Sequence, residues 1–525
     1  MPADTKDPAF LRRRTQNWVF LGLMYAMFYM GRYNFSAVNA LLADRFGWSN
    51  TDLGNIISAG KICYGVSVFL NGPIADRIGG KKAILIGAGG AAVFNFLFGL
   101  SSLFLVHEAT WSPDHKSVIT PAVLEGGMPM STVIASFAII WALNHYFQSF
   151  GALSIVKINA AWFPVNERGS FAGIFGIMIQ SGRTLAFAVG PLIAGALPWR
   201  WVFWVPALCL LILIVVDYKL VADTPADAGL GELKTGDEVA GEEAGGLAFV
   251  LKRVFARREM WLIAASSMMI GFVRNGTDDW FPKFFANVHH AKQAAKDLKM
   301  IAINVSALFA SVLVIVGILQ LKKRIDRLTG WSVQKRFTAT FSLVGVFFGI
   351  IGIGLSIALG DMTDDVQRAT ICLTFASVAM PIASVFGGLV SGNMSDVLFD
   401  NRRAPVVFFA FVGMAATQIL FRLVGGGPLF AAWMMVLLSF FIQSAHSMVG
   451  GAASMDFGGK KAVATAAGLF DGAQYVAGAI VAQTLGRVID AYGWSAWGIS
   501  QVPFALVGAA LIATLWNARP GKSAH

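Results

Sequence analysis

The sequence predicts an all-α polytopic membrane protein, two repeated halves with about fourteen spans. Three observations carry this. First, the 525 residues are 56% hydrophobic and only 14% charged, with a mean hydropathy of +0.64, far below the charge of a soluble chain. Second, apolar runs near 20 residues recur along the chain, and only helices or closed barrels satisfy backbone hydrogen bonds in lipid. Third, short motifs recur in the same order on both sides of a polar stretch at 221–258.

In chain order, spans are expected near 17–42, 53–73, 83–105, 132–160, 170–193 and 201–220. The polar stretch 221–258 mixes Gly, Glu and Lys and reads as a cytosolic linker. Spans resume near 260–285, 300–321, 337–359, 369–394, 405–424, 429–455, 463–488 and 496–517. The domain division is therefore 1–220, the linker 221–258, and 259–525 with an inserted two-helix hairpin near 300–360. The 56 glycines suit close helix packing. Cys63, Cys209 and Cys372 all lie in apolar runs and read as small buried hydrophobes. The first run is too long for a cleavable leader and reads as a span.

The net charge of +11 could suggest nucleic acid, but lysines and arginines cluster in short connections between spans. Counting connections alternately puts about 26 of them on one side and about 8 on the other, so both termini are expected in the cytosol of an inner-membrane protein. No nucleic-acid partner is expected, and the protein is expected to be monomeric. No metal cluster, nucleophile triad or GxxxxGK nucleotide loop is present, so no cofactor is expected.

The repeats are specific. Gly72–Asp76 and Gly392–Asp396 each close a span before a basic connection. Ala172-Gly173-Ile174-Phe175 matches Ala467-Gly468-Leu469-Phe470, and Trp201–Ala207 resembles Trp497–Phe504. Arg32 and Arg274 stand in equivalent first spans of the two halves. Each lies about 14–15 residues into its run, or ~21–22 Å along a helix, inside a hydrocarbon layer ~30 Å thick. An arginine there costs ~3 kcal/mol and marks an ion or substrate path. Its fork never deprotonates, so an anion is the expected visitor, and the fork suits phosphate better than most anions. Repeated halves about a linker are also the plan of a secondary transporter, with its site between the halves. Tyr25, Tyr29 and Arg32 share a helix face by spacing.

These residues resemble the major facilitator superfamily, whose signature between spans 2 and 3 is matched by Gly72 through Asp76-Arg77-Ile78-Gly79-Gly80-Lys81-Lys82. Within it, the chain resembles the organophosphate:phosphate antiporter family of glycerol-3-phosphate and hexose-phosphate carriers. The matches run through Tyr25, Tyr29, Arg32-Tyr33-Asn34-Phe35, Glu167-Arg168-Gly169, Asp223 to Gly229, Arg274 with Asp279-Trp280, and Lys460-Lys461 to Tyr475. The resemblance implies two six-helix bundles, here with the extra hairpin, working by alternating access. It implies exchange of a phosphorylated organic anion for inorganic phosphate, with Arg32 and Arg274 gripping the phosphoryl group. The family's tyrosines fall on Tyr25, Tyr29, Tyr64 and Tyr475. Asp279 joins the candidate set beside Arg274.

Four family positions differ. A lysine, a histidine, a glutamate and a tryptophan fall here on Val68, Ile179, Pro381 and Ala152. Lys61 lies two turns before Val68, and Arg183 one turn after Ile179. Positive charge is therefore expected to have moved within the cavity. Asp471 shares the face of Tyr475 and is expected to hold a cation when substrate is absent. Asn144, His145, Gln148, Gln443 and His446 are expected to read the organic moiety by hydrogen bonds. Two other readings stand beside the antiporter: a membrane sensor of sugar phosphate with little flux, and a facilitator for another organic anion. An enzyme is not expected.

Overall fold

The structure is a computed structural model. It describes residues 7–104, 129–164, 178–233, 256–292, 333–360, 362–400 and 402–518, four short strands between 105 and 128, and residues 317 and 320. The expected span at 300–321, the matches at 167–175 and most of the linker lie outside the described residues. The chain divides into two compact units. One comprises Met1–Ala186, Leu197–Gly246 and Ala482–Gly486; the other comprises Phe187–Ala196, Leu247–Val481 and Arg487–His525.

In the first unit, α1 (Pro8–Ala37) opens with Asp7 accepting from the Ala9 N–H at 2.9 Å and Pro8 in the first turn. It breaks at Val38 into α2 (Asn39–Phe46), which ends on Gly47 at φ 65°. A capping box between Ser49 and Asp52 starts α3 (Asn50–Ile78). Then come α4 (Gly80–Phe104) and α5 (Met130–Trp162). A π segment at Leu185–Val189 runs into α6 (Gly190–Ala196); from Phe187 on this stretch belongs to the second unit, and the first unit resumes with α7 (Trp201–Leu220). Phe10, Met24, Phe28, Ile84, Ile155 and Leu210 close an apolar core among α1, α4, α5 and α7. Phe98 stacks on Phe203 at 4.4 Å and meets Phe137 edge-on at 4.8 Å.

The long connection between α4 and α5 carries four short strands. β1 (Val106–His107) pairs antiparallel with β4 (Val123–Leu124), and β2 (Thr110–Trp111) with β3 (Val118–Thr120). These short runs are rich in β-branched residues, which favour ribbon pairing outside the apolar spans.

The second unit opens with α8 (Arg258–Asp278), a break at Asp279-Trp280, and α9 (Phe281–Val288) with Pro282 in its first turn. Next are α10 (Val333–Gly360), which covers the second half of the expected hairpin, and α11 (Asp365–Leu398). Then α12 (Arg403–Val424) and α13 (Pro428–His446) lead through a π segment, Ser447–Ala453, into α14 (Ser454–Tyr492). Two helices, α15 (Ser495–Ile499) and α16 (Val502–Ala513), complete the described fold. Its core joins Ile263, Ile270, Phe411, Met414, Leu438 and Phe470.

Among the described residues, eight helices are long and apolar enough to cross a membrane. Leu423 (77% exposed) and Ile212 (63% exposed) present side chains that water would reject and lipid accepts. α1, α8 and α14 are not among the eight. They carry Arg32, Arg274 and Asp471, and polar cargo lowers their hydropathy. The first helix of each unit thus has one plan: a long helix, a short break, and an eight-residue second helix.

The matched stretch at 223–229 is a clamp. Asp223 Oδ1 accepts from the Lys81 N–H at 2.7 Å, satisfying an orphan donor at the start of α4. Asn17 Oδ1 accepts from the Ala222 N–H at 2.8 Å, and Trp162 Nε1 donates to the Ala222 carbonyl at 3.0 Å. Gly79 has φ 91°, and a Cβ there would lie 3.0 Å from Asp223 Oδ2. Asp223→Ala should remove a cap worth about 1 kcal/mol. Thermal unfolding in detergent should occur a few degrees lower. An unchanged midpoint would show that the clamp does not stabilise α4.

Candidate functional site

In the first unit the site grows from one face of α1. Arg32 is 5% exposed. Its Nε donates to Gln148 Oε1 on α5 at 2.9 Å. Its guanidinium lies 4.7 Å from the Tyr29 ring and 4.4 Å from the Tyr64 ring, within cation–π range of both. Tyr25 is buried and meets Tyr29 edge-on at 5.1 Å. Tyr29 stacks with Tyr33 at 6.0 Å, and the Arg183 guanidinium lies 5.6 Å from the Tyr33 ring. Arg183 Nη1 donates to Gln180 Oε1 at 3.1 Å. Two buried guanidiniums therefore stand at the ends of a tyrosine ladder.

Lys61 is buried on α3, one turn before Tyr64. His145 is buried on α5, 6.5 Å from the Tyr64 ring, within electrostatic reach of both Arg32 and Lys61. Its Nδ1 lies 3.0 Å from the Trp141 carbonyl, which can only accept, so Nδ1 carries the proton. The structure thus groups Arg32, Tyr29, Tyr64, Lys61 and His145, with Tyr25 at the core edge and Arg183 along the ladder.

Asn144 and Gln148, expected to read substrate, are committed inside the unit. Gln148 Nε2 donates to the Gly31 carbonyl at 3.2 Å and Asn144 Oδ1 at 3.1 Å. Asn144 Oδ1 also accepts from Asn95, whose Oδ1 accepts from Asn34. This buried amide chain ties α1, α4 and α5 together and ends on the arginine. The departures follow the same logic. Val68 is buried, while Ala152 and Ile179 pack against the apolar core. Hydrocarbon side chains fill these positions.

In the second unit Arg274 is partly buried on α8. Its Nη1 donates to Gln474 Oε1 on α14 at 3.0 Å, and its guanidinium lies 5.9 Å from the Tyr475 ring. Gln474 is fully buried; its Nε2 donates to Ser267 Oγ at 2.9 Å, which donates to the Phe470 carbonyl at 2.9 Å. His446 Nδ1 lies 3.1 Å from Gln474 Oε1 and 3.0 Å from Nε2. His446, too, was expected to read substrate and instead meets Gln474. Gly271 permits this closeness, because a Cβ there would lie 2.6 Å from Gln474 Cα. Asp471 is half-buried one turn before Tyr475. Asp279, 2% exposed, sits at the break between α8 and α9, with its N–H bonded to the Asn275 carbonyl at 3.1 Å.

The two units repeat the arrangement. Each arginine precedes a helix break by five or six residues, donates to a glutamine on another helix, and faces tyrosine. Sequence reasoning missed Gln474, Ser267 and Gln180. The only available signal was an amide beside Tyr475 in an apolar run. No cluster of His, Cys, Asp and Glu among the described residues could hold a metal ion.

The Major Facilitator Superfamily model matches residues 21–380. The chain is 24% identical to the glycerol-3-phosphate transporter of Bacillus subtilis, across 99% of this chain and 95% of that one. It is 22% identical to a probable hexose phosphate transport protein of Chlamydia trachomatis, across 98% and 94%. It superposes on a bacterial homologue of the human lysosomal transporter Spinster, inward-facing and unoccupied, with a TM-score of 0.63. That match is 11% identical and covers 96% of this chain and 97% of that one. A helical membrane fold, an arginine on the first long helix of each unit and transporters as relatives over nearly the whole chain together make this a membrane transporter. The chain belongs to the Major Facilitator Superfamily.

Proposed function

We propose that the protein is a secondary transporter that exchanges a phosphorylated organic anion for inorganic phosphate by alternating access. The observation that carries this is the repeated arginine arrangement: in each unit a guanidinium on the first long helix bonds an uncharged amide and meets a tyrosine face. The relatives' names support the same class of cargo. In this reading Arg32 and Arg274 each recognise the phosphoryl group through their planar forks. Tyr29, Tyr64 and Tyr475 hold the guanidiniums by their ring faces. His145, with Nδ1 occupied, has Nε2 left to accept from a hydroxyl of the organic part. Asp471 holds a cation when the anion is absent, and Asp279 keeps the end of α8. Both termini lie in the cytosol.

Lys61 and Arg183 supply the positive charge that Val68 and Ile179 no longer carry. Lys61→Ala and Arg183→Ala should each raise the KM for phosphate about tenfold, the loss of one charge-assisted contact. Normal exchange by both variants would sink that part of the reading.

Counterflow tests the function. Vesicles carrying the protein are loaded with inorganic phosphate and offered labelled glycerol phosphate, hexose phosphate or phosphoglycerate. Uptake that requires internal phosphate is expected. Binding without uptake would favour a sensor, and phosphate-independent uptake another anion.

A further inference from the structure

We propose that Gly60 and Trp141 are positioning residues that aim the His145 ring, and that Nε2 so placed selects an organic phosphate bearing hydroxyls over one without them. This rests on the antiporter reading and deepens it. Three observations carry it. First, α5 bonds its own histidine. Nδ1 of His145 donates to the Trp141 carbonyl, one turn earlier, at 3.0 Å. Nε2 is then the ring's other polar atom and, in that tautomer, an acceptor. Second, α3 makes the room. Gly60 is buried, and a Cβ there would lie 2.6 Å from Trp141 Cδ1 and 2.8 Å from His145 Nδ1. The nitrogen that fixes the tautomer is thus an atom that any larger residue would push. Third, the surroundings leave little slack. Trp141 packs 5.4 Å from Phe35, 5.4 Å from Phe98 and 6.2 Å from Phe203. α3 is pinned to α5 further along, where Asn71 Nδ2 donates to Ser149 Oγ at 2.7 Å and to the Tyr146 carbonyl at 3.3 Å.

The placement explains the selection. Tyr64 lies one turn after Gly60 on the same face of α3. Its ring meets the Arg32 guanidinium at 4.4 Å and the His145 ring at 6.5 Å. One tyrosine ring thus touches both the group assigned to the phosphoryl end and the ring assigned to the hydroxyl. A glycerol or sugar phosphate carries hydroxyls that donate to Nε2. An alkyl phosphate of the same length does not, and it would leave a buried acceptor without a partner.

Competition tests this. Vesicles carrying the protein exchange labelled phosphate in the presence of glycerol phosphate or of propyl phosphate, the same skeleton without hydroxyls. The readout is the ratio of the two inhibition constants. A general loosening of the site weakens both competitors alike and leaves the ratio unchanged, so a merely structural role does not move it. Wild type is expected to prefer glycerol phosphate about tenfold. Gly60→Ala, which displaces the ring, and His145→Phe, which keeps a ring and removes Nε2, should each bring the ratio to within about twofold of unity. A wild-type ratio in either variant would overturn the inference. If Gly60→Ala does not insert, His145→Phe decides by the same criterion. A wild type that exchanges phosphate but does not distinguish the two competitors would overturn this inference alone. A wild type that does not exchange phosphate would overturn the antiporter reading with it.

Discussion

Arg32→Lys should reduce phosphate-driven exchange about a hundredfold while the protein still inserts and folds. Lysine keeps the charge and much of the length. It loses the planar fork, the Nε donor that meets Gln148 at 2.9 Å, and the flat face set against Tyr29 and Tyr64. A compact ammonium binds phosphate as a point charge, without bidentate geometry. Arg274→Lys should behave alike, since Arg274 meets Gln474 and Tyr475 in the same manner. Initial-rate exchange in vesicles, normalised to inserted protein, checks both. Near-normal rates in either variant would remove that arginine from the phosphate grip.

Gly271→Leu should abolish transport and lower stability by about 3 kcal/mol. A Cβ at this position would sit 2.6 Å from Gln474 Cα and 2.7 Å from its carbonyl oxygen. Both are backbone atoms of α14, so no side-chain rotation relieves the clash. The helices must separate. Separation would lengthen the bond from Arg274 to Gln474 and the one from Asn275 Nδ2 to the Gln474 carbonyl, now 3.3 Å. Gly468→Leu is the contrast, because nothing lies within 4 Å of its Cβ position. Thermal unfolding in detergent should fall for Gly271→Leu and change little for Gly468→Leu. Equal behaviour would show that close approach at Gly271 is not needed.

Much of this was legible in the chain before any coordinates. Arg32 and Arg274 stand out because a permanent charge deep in an apolar run has few structural excuses. Tyr29 and Tyr64 follow from helical spacing and resemblance. The equivalence of the first helices also shows in the repeats, and the matching breaks at Val38 and Asp279 extend it. The break at Val38 was not legible, because no glycine or proline marks it. Gln474 was not legible either: a lone amide in a span is a weak signal, and its partner lies 200 residues away. Asn144 and Gln148 were read as substrate contacts because polarity in a span says only that a partner exists. Whether it is a ligand, or an amide chain through Asn95 and Asn34, depends on packing. The ribbons between α4 and α5 were not legible. Their strands of two and three residues are too short for a periodic signal.

A double-mutant cycle on phosphate affinity tests most directly whether the two arginines serve one anion. Calorimetry on wild type, Arg32→Gln, Arg274→Gln and the double variant supplies the four numbers. A shared grip predicts that either single change removes most of the affinity and that the second costs little more. Losses that multiply independently, or a single variant that binds phosphate as wild type does, would contradict it.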